Sequence, residues 1–198
     1  MELDQRYNAI APSWQHMLEK MGFPAAYRAL AQQAPPKRAL HLIDVGAGSG
    51  ELSQAYCETQ QRPLNHVLLD RSEAMLAEAQ KTSPTAALAC EDLANHFPST
   101  AYDVVLCAHV IEHCASPLVA LKHISRMTAP GGTVLLAVSK PHMCQFLIWI
   151  KWRHKWFAAE TVVAMAQQAG LKLTSLVPFE NGIPARISQG YVFTKPVS

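Results

Sequence analysis

The stretch Leu40-His-Leu-Ile-Asp44-Val-Gly46-Ala-Gly48-Ser-Gly50 decides the fold. Leu40 to Val45 is a short, mostly apolar run with its acidic residue near the end, the pattern of a buried strand. The alternating glycines that follow permit positive φ angles and let a ligand approach the backbone without obstruction by a Cβ. A glycine loop at the carboxyl end of a strand, opening into a helix, is where open α/β sheets place their ligands. Dinucleotide loops space their glycines G-x-G-x-x-G, whereas this one reads G-x-G-x-G with an acid just before it.

Downstream the alternation continues. Residues 51 to 60 read as a helix and His66-Val-Leu-Leu-Asp70 as a strand. Ser72 caps a helix carrying Met75, Leu76 and Ala79. Ala86 to Cys90 is a weak third strand and Tyr102-Asp-Val-Val-Leu-Cys107 a strong fourth. A helix over Pro117 to Met127, with Leu118, Leu121 and Ile124 inward, leads through a turn at Pro130-Gly-Gly132 into a fifth strand, Thr133 to Val138. After a helix from Ala159 to Ala169, ended by Gly170, come two strands with no helix between them, Leu171 to Phe179 and Gln189 to Thr194. Joined by the turn-rich Glu180-Asn-Gly-Ile-Pro184, they are expected to form an antiparallel hairpin at one edge. Upstream, residues 4 to 19 place Tyr7, Ile10, Trp14, Met17 and Leu18 at helical spacing, and a second helix from Pro24 to Ala34 stops at Pro35-Pro36. The expectation is α/β: a doubly wound sheet, parallel for at least five strands.

At 198 residues the chain suits one domain, with 49% hydrophobic and 16% charged residues, a globular balance. A formal net charge of +2 gives no strong pull towards nucleic acid. The five cysteines are odd in number and form no C-x-x-C pair, which argues against a disulfide framework and a thiolate zinc site. The start has no basic-then-apolar leader, and the apolar run Phe146 to Ile150 meets Lys151 and Arg153 at once, too short to span a bilayer. A cytoplasmic protein without a membrane span is expected. Oligomeric state leaves no mark on the sequence.

Two further acids sit where later strands end. Asp70 closes the second strand, where a carboxylate accepts both ribose hydroxyls of an adenosine. Glu91-Asp92 follow the third, where a carboxylate can accept an adenine amino proton. With Asp44 these acids converge at one sheet edge and suit a cationic sulfonium better than a diphosphate. The plainer alternative has Asp70 capping the next helix and Asp92 starting a turn.

These residues resemble the class I S-adenosylmethionine (SAM)-dependent methyltransferases, in particular the small-molecule branch that includes the ubiquinone-pathway enzymes. Asp44 to Gly50 is similar to the first motif of that family and Leu68 to Leu76 to its second. Glu91-Asp-Leu93 is similar to the adenine motif, and Asp103 to His113 to the fourth. Leu118 to Val138, with Ala129-Pro-Gly-Gly132, resembles the helix and strand that follow. The resemblance is close over about residues 36 to 140. It implies a Rossmann-like, doubly wound, seven-stranded sheet with an antiparallel C-terminal hairpin. It implies one SAM-binding domain over 1–198, with cover helices in 1–35, the cofactor-binding core in 36–140 and a substrate-side segment with the hairpin in 141–198. Carried over, Asp44, Gly46 and Gly48 would surround the methionine part of SAM. Asp70 would bind ribose, Arg71 and Met75 would flank the adenine, and Asp92 with Leu93 would contact its edge.

Methyl transfer from a sulfonium is an in-line displacement, and for a hydroxyl acceptor a base must also take the proton. His109 and His113 are the candidates, expected to share one face of a helical turn with Glu112 adjacent. Related O-methyltransferases hold a divalent metal with an E-x-x-E-H segment. Here it reads His109-Val-Ile-Glu112-His113, which fits magnesium poorly and leaves a softer ion, with His142 as a further ligand, as a less favoured alternative to a base or pocket-lining role. Trp149, Trp152 and Trp156 lie three or four apart beside Lys151 and Lys155, expected to pack and partly line the acceptor pocket rather than bind a membrane or single-stranded nucleic acid. Tyr7 and Trp14 on the leading helix are either core or a cover over the cofactor. The expected partner is a small-molecule acceptor, with no stable nucleic-acid partner. An RNA methyltransferase, an NAD-binding oxidoreductase and a non-catalytic SAM-binding protein are the competing readings.

Overall fold

A computed structural model describes residues 3–35, 39–60, 63–142 and 155–197, with side chains of the first helix from Ile10 onward. Its strands are β1 (His41–Val45), β2 (Asn65–Asp70), β3 (Ala87–Cys90), β4 (Tyr102–Ala108), β5 (Thr128–Ser139), β6 (Lys172–Val177) and β7 (Ser188–Thr194). They form one sheet in the order β3-β2-β1-β4-β5-β7-β6. β1 to β5 run parallel, and β7 is antiparallel to both β5 and β6. The helices are α1 (Leu3–Met21), α2 (Phe23–Ala31), α3 (Glu51–Thr59), α4 (Glu73–Thr82), α5 (Pro117–Met127), α6 (Ala159–Gln168) and the single turn α7 (Pro184–Ile187).

The Rossmann-like sheet read in the sequence is present. β1 and β4 are flanked on both sides and covered on both faces, which explains their near-continuous apolar runs. Leu42, Leu106, Leu135 and Ala137 turn to one face, where they meet Leu30 of α2 and Leu52 and Tyr56 of α3. Ile43, Val105, Val134 and Leu136 turn to the other, against Leu121 and Ile124 of α5 and Val162 of α6. Ser72 and Ser116 cap α4 and α5 by accepting the N–H of Met75 and Val119. Short β3 forms an exposed edge.

Three details differ from the sequence reading. β5 begins at Thr128, before the expected turn, because Thr128 already pairs with Tyr102. Pro130-Gly-Gly132 is an irregularity inside the strand, held to the end of β7 by Gly131 N–H to Lys195 O and Lys195 N–H to Gly132 O. A turn of helix, α7, does separate the last two strands, since Pro184 starts a helical turn readily. The terminal pair is antiparallel and lies at one edge as expected, with β7 next to β5 and β6 outermost. The Trp-rich stretch 143–154, with Trp149, Lys151 and Trp152, lies outside the described residues, as does the side chain of Tyr7. Among the described residues no helix is long and apolar enough to cross a membrane.

Leu136 is fully buried between α5 and α6 in the middle of the sheet. Leu136→Ala is expected to cost about 2–5 kcal/mol in a denaturant titration, with a cooperative transition retained.

Candidate active site

The strand order reverses between β1, which leads outward to β2 and β3, and β4, which leads to β5. Loops that leave β1 and β4 in opposite directions open a crevice at their carboxyl ends. The glycine loop fills one side. Gly48 N–H donates to Asp70 Oδ2 at 2.9 Å, and Ser72 N–H donates to Asp70 Oδ1 at 2.9 Å. Asp70 thus both caps toward α4, the plainer of its two readings, and ties the glycine loop to β2. Gly46 has φ 64°, and a Cβ there would clash with Val110 Cγ2 on the β4 loop. No side chain fits between the two loops at that point.

A cavity of about 970 Å³ opens here, lined by the eight residues expected around the cofactor and by the two candidate histidines. Asp44, Gly46 and Gly48 stand at the β1 end, Asp70, Arg71 and Met75 at β2 and α4, Asp92 and Leu93 after β3, and His109 and His113 after β4. Trp14, Met17, Leu18 and Met21 of α1 line it too, so the leading helix is a wall of the site. Asp92 accepts the Ala94 N–H at 2.8 Å and faces the Arg71 guanidinium at 3.5 Å in a half-exposed, weak pair. Asp44 is buried, and Ser53 donates to its Oδ2 from both Oγ (2.7 Å) and N–H (3.2 Å). Burial, reinforced by the nearby Glu51 and Asp70 carboxylates and opposed by Ser53, pushes the Asp44 carboxyl up to about 7.

His109 departs from the expected helical turn. It has φ 57°, the left-handed region, alone among the described non-glycine residues. Its N–H still reaches Ala137 O on β5 at 2.8 Å, after which the chain turns through His113 N–H to Val110 O. The four-residue spacing therefore gives His109 and His113 no shared helical face. His109 is instead gripped by three elements. Its Nδ1 lies 3.1 Å from Glu112 Oε1 and 3.3 Å from Ser139 Oγ, and its Nε2 lies 3.5 Å from Ser188 Oγ. The ring meets Phe23 edge-on, with centroids 5.5 Å apart. Glu112 is buried and also accepts the Ser139 N–H at 2.7 Å. Burial raises its carboxyl, but the hydrogen bond and charge of His109, with Ser139 N–H, outweigh that and hold it below the ordinary range. A carboxylate at Nδ1 fixes that nitrogen as the donor and leaves Nε2 as the basic one.

Among the described residues no three His, Cys, Asp or Glu side chains are grouped to hold an ion, and His142 is exposed beyond β5. Lys155 does not simply face water, since its Nζ donates to the Cys114 and Ala115 carbonyls and pins the returning chain to the β4 loop.

Sequence reading missed Phe23, Tyr27, Glu51, Ser139 and Ile187, which also line the cavity. Glu51 follows Gly50 directly and was visible as a fourth acid. Ser139 stands opposite Ser188 only because β7 pairs antiparallel with β5, a register no local motif announces.

Residues 43–136 match the family described as the methyltransferase domain. A ubiquinone biosynthesis O-methyltransferase from Leptothrix cholodnii is 32% identical over 114 residues, 55% of this chain and 48% of that protein. The chain thus spans about half the length of this curated relative. Among solved structures, a chain from the complex of the Haloferax volcanii Trm112 methyltransferase activator with a methyltransferase superposes with TM-score 0.79 at 21% identity, covering 96% of this chain and 97% of that one. The N-methyltransferase NodS of Bradyrhizobium japonicum, in complex with S-adenosylhomocysteine (SAH), gives TM-score 0.77 at 16% identity, covering 98% and 96%. The family match covers just under half of the chain and the sheet is shared with these solved methyltransferases, so the chain is similar to the class I SAM-dependent methyltransferases.

The Asp44 carboxyl keeps its proton to about pH 7 in the folded chain, against an ordinary value of 3.8. Its folded value is the higher, so its contribution to stability falls as pH rises between those values and stays lowest above them. Asn keeps an oxygen for Ser53 without the buried charge. Asp44→Asn should therefore stabilise the ligand-free protein at pH 8, by on the order of 2–4 kcal/mol, and progressively less towards pH 4. Thermal melts across that range read the difference.

Proposed function

We propose that this chain is a SAM-dependent methyltransferase acting on a small molecule with a hydroxyl group. The observation that carries the reading is the convergence of residues from four separate strand ends on one cavity, with the His109–Glu112 pair at its β4 end. The donor set suits the cofactor. Asp44, Glu51, Asp70 and Asp92 line the cavity, a carboxylate-rich wall for an ammonium, a sulfonium and ribose hydroxyls. Asp44, Gly46 and Gly48 would surround the methionine part, Asp70 the ribose, and Arg71, Met75, Asp92 and Leu93 the adenine. The three parts of the chain act as one unit, with 1–35 as cover, 36–140 as cofactor core and 141–198 as acceptor side.

When bound, SAM supplies a methyl group as the electrophile. The chain's own contribution is alignment and a proton acceptor. Nε2 of His109 takes the acceptor's hydroxyl proton, and Glu112 stabilises the imidazolium that results. Phe23, Tyr27 and Ile187 give that end of the cavity an apolar wall, and α1 shields it from water. We place the reaction in the cytoplasm, in keeping with the free thiols of Cys90, Cys107 and Cys114.

Calorimetry should detect SAH binding, weakened by well over tenfold in Asp70→Ala, since charged hydrogen bonds are lost. No SAH binding at all would overturn the reading. Labelled SAM incubated with cell extract should label the small-molecule fraction, and label in RNA or protein instead would move the acceptor to that class. With the acceptor found, His109→Ala is expected to lower kcat by about 10²–10⁴ while leaving SAH affinity within about threefold.

A further inference from the structure

Behind the cavity wall a chain of hydrogen bonds leads away from Asp44 that methyl transfer does not use. Ser53, fully buried on α3, gives Asp44 Oδ2 both its hydroxyl and its backbone N–H. The same hydroxyl lies 3.0 Å from His66 Nε2 on β2. A serine has one hydroxyl proton. Given to Asp44, it leaves Ser53 Oγ as an acceptor, so Nε2 of His66 must carry the hydrogen that completes the bond. The order is therefore directional, with His66 donating to Ser53 and Ser53 donating to Asp44. Burial keeps His66 neutral by lowering it to about 4, so the chain ends on a dipole and adds no charge.

We infer that His66 and Ser53 are positioning residues that favour the ionised form of Asp44 for an ammonium group of the bound ligand, making ligand affinity rise with pH. The inference rests on the cofactor reading above, in which Asp44 meets the methionine part. The directionality of the chain matters because everything else around Asp44 works against ionisation. Glu51 on α3 and Asp70 on β2 are like charges, and the Cys107 thiol on β4 is itself buried and neutral. Among the described residues Ser53 supplies the side-chain and backbone donors to this carboxylate. Its second oxygen, Oδ1, takes none among them, and Asp44 is part of the cavity lining.

The test is SAH affinity by calorimetry from pH 5.5 to 9, with 5′-methylthioadenosine as a probe that has the adenosine but no ammonium. SAH should bind more tightly as pH rises to about 7 and then level off, while methylthioadenosine should show no such rise. Ser53→Ala removes one donor and should move the SAH profile up by about one pH unit. Near pH 6 that weakens SAH about tenfold, yet leaves it within about twofold of the parent protein at pH 9. His66→Phe, at a partly exposed sheet position, should shift the profile in the same direction by less, and serves if Ser53→Ala does not fold. An SAH profile that is flat, or one that both variants weaken equally at every pH, would overturn the chain's role while leaving cofactor binding intact. Failure of both probes to bind at any pH would overturn the cofactor reading itself.

Discussion

The hydrogen bond from Gly48 N–H to Asp70 is the tie on which the site depends. It joins two loops whose strands are parallel neighbours, so the carboxyl ends of β1 and β2 meet the cavity as a single wall. With Ser72 N–H on its other oxygen, the Asp70 carboxylate is held in one orientation by two backbone donors. The left-handed glycines follow from that arrangement, because the loop must bend back over β2 while passing within contact of Val110. A loop cradling a ligand by its backbone needs some such external brace, since it buries little side chain of its own.

The site carries unfavourable terms that the surrounding core offsets. Asp44 is a carboxyl in the sheet interior, and His109 occupies backbone space that costs a non-glycine residue about 1–3 kcal/mol. Both lie at the crevice. The neighbouring strands are fully apolar at Ile43, Val105 and Leu106, a rigid frame from which loops are displayed. In a left-handed conformation His109 can leave β4 with its N–H still paired to β5 while its ring swings towards β7. A helical turn would have sent the ring along the loop, out of reach of Ser139 and Ser188.

The legible part of the sequence was the part governed by short-range rules. Alternation of apolar runs with capped helices revealed β1 to β5 and their helices, and an acid at the end of each of three strands revealed one half of the site. What escaped was set by tertiary pairing. Ser53 is nine residues from Asp44 and reaches it only because α3 folds back over the end of β1. The conformation of His109 follows from a β5 carbonyl and not from its own neighbours, so spacing alone suggested a helix. The inner position of β7 likewise depends on which edge of β5 was open, and the turn at Pro184 is too short to show periodicity.

The two ends of the cavity differ in where their residues come from. The methyltransferase-domain match spans residues 43–136, and it contains Asp44, Asp70, Asp92, His109 and Glu112. Phe23, Tyr27, Ser139, Ile187 and Ser188 all lie outside it, and all stand around His109 or in the cavity wall. The glycine-loop wall of the cavity is thus built from the parallel half of the sheet, whereas the His109 end also draws on α2 and the antiparallel pair, so the second can change without disturbing the first. Ser139 and Ser188 face each other across β5 and β7, so any change in the register of that pair would move both hydroxyls relative to His109 together. The antiparallel strand β7 thus both covers β5 and brings Ser188 to the His109 end of the cavity, while α2 brings Phe23 there, so that end is built by pairing and packing beyond the glycine loop.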